Sequence, residues 1–268
     1  MNFRLTEEQD LLVETALNIG AKFDPDYWLK MDQASSYPVE FFDSIAAHGF
    51  FSLGIDSAYG GTPAGMMELA LSMEGLCRGG AGGGPALGYL FGTLGANILN
   101  ANANDAQKSQ YLPDMAAGTS MCAFGLSEPD AGTNSLNMST FAKKDGSDYI
   151  ISGSKWYITN IERSDAIVVV ARTQKLDESA SRSDGVSLFI VDLPNDSLTY
   201  SPIEKHAYGY YKSHMVFLDD VRVPKEALIG TEGQGFRQIL GTLNPERILV
   251  AAGAVGIARL AIATAVKY

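Results

Sequence analysis

The chain has 268 residues, 46% hydrophobic and 19% charged, the balance of a folded soluble protein and not of a disordered one. Lys and Arg total 20 and Asp and Glu 31, a net charge of −11; so acidic a surface repels phosphate backbones and excludes broad nucleic-acid binding. Two cysteines, Cys77 and Cys122, are too few for a disulfide scaffold, and residues 1–8 (MNFRLTEE) hold no basic segment followed by an apolar one, so no secretory leader is read and a cytoplasmic protein is expected.

From Thr6 to about residue 120 the pattern is helical. Thr6 and Gln9 have the spacing of a capping box, and Leu11, Leu12, Ala16, Leu17 and Ile19 follow at helical intervals. Pro38 opens a second helix from a first-turn position. A turn at 59–63 (YGGTP) precedes a helical run from Met66 to Leu76, and Asn104 caps another helix that Gly118 ends. Residues 78–84 (RGGAGGG) lack the spacing of a dinucleotide or phosphate loop and read as a flexible link between helices.

Between residues 121 and 223 short β-branched runs alternate with turn clusters, the texture of an all-β sandwich or barrel; the polar stretch 175–184 reads as a mobile loop within it. The helical period returns from Glu232, and Asn244-Pro245 predicts a kink or a fresh helix start. Residues 248–266 are apolar enough to raise a membrane span. Arg259 in their middle would cost about 2.5–3.5 kcal/mol on insertion scales, and the small residues around Gly253 and Gly256 fit a helix packed inside a bundle better. The helix runs to Tyr268 without a stop signal, the expectation being a chain that continues.

No metal site is expected from His48, His206 and His214, which are scattered without ligand spacing, and no G-x-S-x-G elbow is present. Two stretches carry chemistry. The first, 124–134 (FGLSEPDAGTN), is a turn flanked by the hydroxyls of Ser127 and Thr133, able to bond a polar ring edge or a phosphate, or to serve as a plain turn. The second, 155–160 (KWYITN), sends Tyr157 and Thr159 to one face by strand alternation, which suits a heterocycle or an ordinary aromatic core strand.

Together, in this order and between two helical segments, these motifs resemble the acyl-CoA dehydrogenase family. The likeness extends through 59–61 (YGG), 221–224 (VRVP), 233–236 (GQGF) and Arg247 with 251–256 (AAGAVG), nearly the whole chain. It implies an α+β multidomain fold: an all-α N-terminal domain over 1–120, a middle flavin-contacting β-sandwich or barrel domain over 121–225, and the first helix of a C-terminal helical bundle over 226–268. It implies FAD as cofactor, an acyl-CoA thioester as substrate in fatty-acid β-oxidation, an electron-transfer flavoprotein as electron acceptor, assembly as a homodimer or homotetramer, and no metal, membrane or nucleic-acid partner.

Carried over by residue, the resemblance gives the backbone at Phe124 and Leu126 and the hydroxyl of Ser127 to the flavin pyrimidine edge. It sets Tyr157 against the ring system, brings Thr159 toward flavin N5, and puts Thr133 at the pantetheine or CoA end. Asn134 and Asn137 depart from the family's usual Asp and small residue, which bears on the CoA contacts. Most members carry the catalytic glutamate far downstream; the isovaleryl-type and long-chain branches place it on the helix matching 243–248, where Glu246 falls. Glu246 is therefore the candidate base, with Asn244 and Arg247 as substrate-side neighbours; its other reading is a first-turn glutamate favoured by the helix dipole. An acyl-CoA oxidase or flavin monooxygenase, and a non-catalytic accessory chain, are the competing expectations.

Overall fold

The computed structural model describes residues 4–268; residues 1–3 of the leader reading lie outside the described residues. Helix α1 (Glu7–Ala21) starts at the expected capping box: the Gln9 amide donates to the Thr6 hydroxyl at 3.2 Å and the Thr6 amide to the Gln9 side chain at 3.1 Å. Helix α2 (Pro25–Ala34), passed over in the pattern reading, is announced by Asp24, whose carboxylate accepts from the Tyr27 amide at 2.9 Å, and by Pro25 in the first turn. Helix α3 (Val39–Ala47) has Pro38 just outside it, in a non-helical conformation, and not in its first turn.

Helix α4 (Met66–Leu76), a wide π turn over Cys77–Ala81, α5 (Gly83–Asn102) and α6 (Asp105–Ala117) complete the N-terminal helices. Residues 78–84 are thus not a flexible link. Most of them are helical, and only Gly80 and Gly82, at φ 137° and 63°, break the path where glycine alone is unstrained. Asn104 and Gln107 cap α6, and Gly118 closes it in the left-handed conformation, both as expected. Gly95 sets α5 directly on the first strand: a Cβ there would lie 2.5 Å from the Cys122 carbonyl oxygen.

The strands are β1 (Cys122–Gly125), β2 (Phe141–Asp145), β3 (Asp148–Thr159), β4 (Ala166–Arg172), β5 (Val186–Asp192), β6 (Leu198–Ile203), β7 (Ser213–Val223) and β8 (Leu228–Ile229). They form one connected sheet in the order β6-β7-β3-β2-β4-β5-β8, with β1 parallel to β4. Strands β2 and β4 share a single pair, Phe141 with Arg172, so the sheet folds there into two layers. Tyr149 of β3 meets Phe189 of β5 with ring centroids 4.8 Å apart, a contact across the sandwich between strands that are not neighbours. Every residue of β4 is buried, because strands flank it on both edges and the other layer covers it. The loop 175–184 is tied back by Arg172, whose guanidinium donates to the carbonyls of Arg182 at 2.8 Å and Asp184 at 3.2 Å.

Helix α7 (Gly235–Lys267) continues through Pro245, so of the kink or fresh start expected at Asn244-Pro245 the fresh start does not occur. Proline withholds the amide that would have bonded the Gly241 carbonyl, but Gly241 is exposed, so water can take that carbonyl and the helix passes. Helix α7 is long and apolar enough, by length and composition only, to cross a membrane. One face of it is packed: Gly253 lies against Met73, Cys77 and Ala86, Gly256 against the Glu74 carbonyl, and Arg259 pairs with Glu74 at 2.9 Å, while Val255, Ile262 and Val266 are exposed.

Candidate functional site

The two motifs meet. From the end of β1 the chain turns sharply at Glu128 and Ala131, whose amides and carbonyls bond each other at 3.1 and 3.2 Å. The Glu128 carboxylate points inward and accepts from the Ser139 amide at 2.6 Å, the Ser139 hydroxyl at 2.9 Å and the Thr140 amide at 3.0 Å. It also pairs at 2.8 Å with Lys155 of β3, whose ammonium donates further to the Leu126 carbonyl at 3.2 Å. Next along β3, the Trp156 amide donates to the Ser127 carbonyl at 2.8 Å. A buried ion pair and a backbone bond therefore fasten the turn to the strand.

Both charges are fully desolvated, with side-chain exposures of 0% for Lys155 and 3% for Glu128. Burial raises the Glu128 pKa, but the Lys155 ammonium and the hydrogen bonds outweigh it and hold the carboxyl below its ordinary range. Burial brings the Lys155 ammonium down to about 8, with Glu128 opposing. Sequence reasoning missed this pair. Its only signal was a glutamate inside a turn and a lysine ahead of two aromatics.

At Trp156 and Tyr157 the register between β3 and β7 slips, with Lys155 opposite Val216 and Ile158 opposite His214. Tyr157 takes φ 61°, a left-handed backbone for a bulky residue. Tyr157 and Thr159 both line one cleft, but so do Trp156 and Ile158, because the bulge breaks the simple alternation expected here. Tyr157 is 66% exposed, and the buried Trp156 indole N–H has no partner.

This cleft, of about 220 Å³, is closed on the β side by Phe124, Leu126, Ser127, Trp156, Tyr157 and Thr159, and on the helical side by Phe91 and Leu94 of α5 and Leu243 and Glu246 of α7. Burial pushes the Glu246 carboxyl above the usual carboxylate range, with Arg247 pulling the other way. Thr133, Asn244 and Arg247 do not line the cleft. Thr133 is exposed past the turn. A helix turns about 100° per residue, so Asn244 and Arg247 face solvent while Leu243 and Glu246 face α5; the Arg247 guanidinium donates to the Asn244 side chain at 2.7 Å.

Along the same two helices the seam continues. About one turn further on, an apolar pocket of about 270 Å³ is lined by Met73 of α4, Leu87 and Leu90 of α5, and Val250, Ala254 and Ile257 of α7. The α5 numbers fall as the α7 numbers rise, so the helices run antiparallel and cleft and pocket lie in line between them.

An aromatic face at Tyr157, a hydroxyl at Thr159 and an indole donor without an acceptor, all in one cleft, suit a flat heterocycle with polar edges. The sequence profile of the acyl-CoA dehydrogenase middle domain matches residues 123–221, and that of the N-terminal domain residues 6–119. The chain belongs to the acyl-CoA dehydrogenase family. Members of this family are FAD-dependent oxidoreductases. It is 35% identical over 267 residues to the acyl-CoA dehydrogenase FadE12 of Mycobacterium tuberculosis, covering 100% of this chain and 68% of that relative. Butyryl-CoA dehydrogenase of Megasphaera elsdenii superposes with a TM-score of 0.91 at 31% identity, covering 100% of this chain and 70% of that one. A chain from a structure described as the electron transferring flavoprotein of Acidaminococcus fermentans gives 0.91 at 32% identity, with the same coverage of 100% and 70%.

Proposed function

We propose that this family member binds FAD in the cleft and uses Glu246 as the base in the α,β-dehydrogenation of an acyl-CoA thioester. The observation that carries the reading is the meeting of the Ser127 turn, the Tyr157–Thr159 strand end and Glu246 around one cleft. The backbone at Phe124 and Leu126 and the Ser127 hydroxyl would hold the pyrimidine edge, with Tyr157 against the ring system and Thr159 on its polar centre. When bound, FAD supplies the acceptor for the hydride that leaves the acyl β-carbon.

Glu246 takes the α-proton. A carboxylate with a raised pKa is a stronger base than one in water, and its burial between α5 and α7 provides that shift. Arg247 beside it pulls the other way and moderates the shift. The apolar pocket in line with the cleft takes the acyl chain, and its aliphatic lining excludes water from the reacting carbons. Thr133, exposed at the rim of the turn, is free to meet the CoA end. Transfer of electrons to an electron-transfer flavoprotein, supported by the likeness to the Acidaminococcus chain, and work in the cytoplasm as a homo-oligomer belong to the same reading.

The test is Glu246→Gln. The variant is expected to keep FAD, seen as an unchanged flavin spectrum, and to show no anaerobic bleaching with any acyl-CoA that bleaches the wild type. Full bleaching in the variant would assign the base elsewhere.

A further inference from the structure

The apolar pocket of about 270 Å³ has a neighbour. A cavity of about 510 Å³, reaching Trp28, Asp32, Tyr210 and Leu260, shares two lining residues with it, Gly83 and Tyr208. A Cβ built on Gly83 would lie 2.7 Å from the Tyr208 hydroxyl oxygen and 3.7 Å from Ile257 Cδ1, so the start of α5, the phenol and α7 meet at one point. Only the missing side chain at position 83 admits the phenol there.

Tyr208 comes from the loop between β6 and β7 and is held in place from several sides. Its backbone has φ 56°, a conformation that bulky residues adopt only when their surroundings impose it. The Tyr211 amide donates to its carbonyl at 3.0 Å. The next amide, Gly209, donates to Asp32 of α2 at 2.7 Å. Tyr210 meets its ring edge-on, with centroids 5.9 Å apart at 80°. The ring is still 40% exposed. It contributes little to the core, yet stands between two cavities.

Resting on the acyl-CoA reading above, we infer that Tyr208 is the specificity-determining residue that sets the depth of the acyl pocket. The substrate class is acyl-CoA whose chain ends at the Tyr208 ring. Longer chains are refused because the ring separates them from the second cavity, which is large enough to receive them.

The experiment uses the full chain loaded with FAD, titrated anaerobically with straight-chain acyl-CoAs of increasing length while flavin absorbance is followed. Tyr208→Ala is expected to raise the long-to-short ratio of second-order bleaching rates by about tenfold or more, since one methylene accepted or refused by an apolar pocket is worth at least that. Tyr208→Phe keeps the ring and is expected to keep the wild-type length limit. Adding Leu260→Trp to Tyr208→Ala refills the second cavity and is expected to cancel the gain. An unchanged length limit in Tyr208→Ala, with flavin bound and short chains still bleaching it, would overturn the inference. A gain that survives Leu260→Trp would overturn it too, because the extra room would lie elsewhere. Failure of the underlying reading is distinct: the wild type would then respond to no acyl-CoA of any length.

Discussion

The two walls of the cleft are held by opposite means. On the β side, an ion pair with no solvent access and a fan of hydrogen bonds lock the Ser127 turn to the end of β3. On the helical side, α7 lies against α4 and α5 through glycines and aliphatic side chains, and its ion pair to Glu74 is half in water, with 54% and 22% exposure. Directional polar contacts fix atoms to tenths of an ångström; apolar packing fixes volume and tolerates exchange. The wall assigned to the invariant part of the chemistry, the flavin ring, is the rigid one. The wall assigned to the variable part, the acyl chain, is the adaptable one.

The sharpest way to break this comparison is to remove one partner of the buried pair. Lys155→Met strands the Glu128 carboxylate without its counter-charge, and losses of about 3–5 kcal/mol follow when a buried pair is broken from one side. Urea unfolding would read the loss, and flavin affinity should fall with it. The acid limb carries the sign. In the wild type the Glu128 pKa is held below that of the unfolded chain, so its stabilisation is present above about pH 4.3 and is lost as pH falls through the folded value. In Lys155→Met burial, the largest cause, is opposed only by the Ser139 and Thr140 hydrogen bonds and raises that pKa. This contribution then reverses, and stability should rise as the carboxyl protonates. A variant with the wild-type acid profile would mean that the hydrogen bonds, and not the lysine, hold the charge.

Glu246 offers a pH test from the helical wall. Since burial places its pKa above the usual carboxylate range, the rate of anaerobic bleaching should climb with pH through a midpoint above about 4.3 and level off once the carboxylate is ionised. Glu246→Asp should be slower at every pH, because the carboxylate is withdrawn by one methylene. A pH-independent rate between pH 5 and 8 in the wild type, with chemistry shown to be rate-limiting, would place the midpoint outside that window.

These contrasts bear on what the sequence disclosed. The β wall was legible because its parts are local: the turn at 126–134 and the strand end at 155–160 announce themselves by residue type. Their cross-link was not, since Glu128 and Lys155 are 27 residues apart and nothing in either segment names the other. Strand alternation put Tyr157 and Thr159 on one face but could not foresee the bulge, through which Trp156 and Ile158 reach the same cleft. On the helical side the local signal misled. Asn244-Pro245 has the form of a helix start, and tertiary packing of α7 on α4 and α5 overrides it. Asn244 and Arg247 flank Glu246 in the chain, and the rotation of the helix turns both away from the cleft toward solvent.

A smaller effect separates caps from packing. Asn104→Ala removes the acceptor of the Gln107 amide at 2.9 Å and should cost about 1 kcal/mol. The same Gln107 side chain also donates to the carbonyls of Glu226 and Leu228 at 2.7 and 3.0 Å, holding the segment that leads out of the sheet. If the loss is confined to α6, the flavin spectrum is unchanged. A concerted loss of bound FAD would mean that this segment helps to set the cleft.

The smallest effect is expected at a helical-side pair whose separation nearly matches the buried one. Arg259 and Glu74 stand at 2.9 Å, nearly the separation of Lys155 and Glu128 at 2.8 Å, so geometry alone would rank them together. Solvent decides otherwise. Water around Arg259 screens the attraction and hydrates either charge when the other is gone, and exposed pairs of this kind are worth about 0.2–1 kcal/mol. A double-mutant cycle through Arg259→Ala and Glu74→Ala should therefore give a coupling within that range that shrinks in 0.5 M salt. A cycle through Lys155→Met and Glu128→Leu should give several times more and hardly respond to salt. Equal couplings would mean that α7 is fastened to α4 by charge and not by the close approach at Gly253 and Gly256, and the division between a rigid and an adaptable wall would fail.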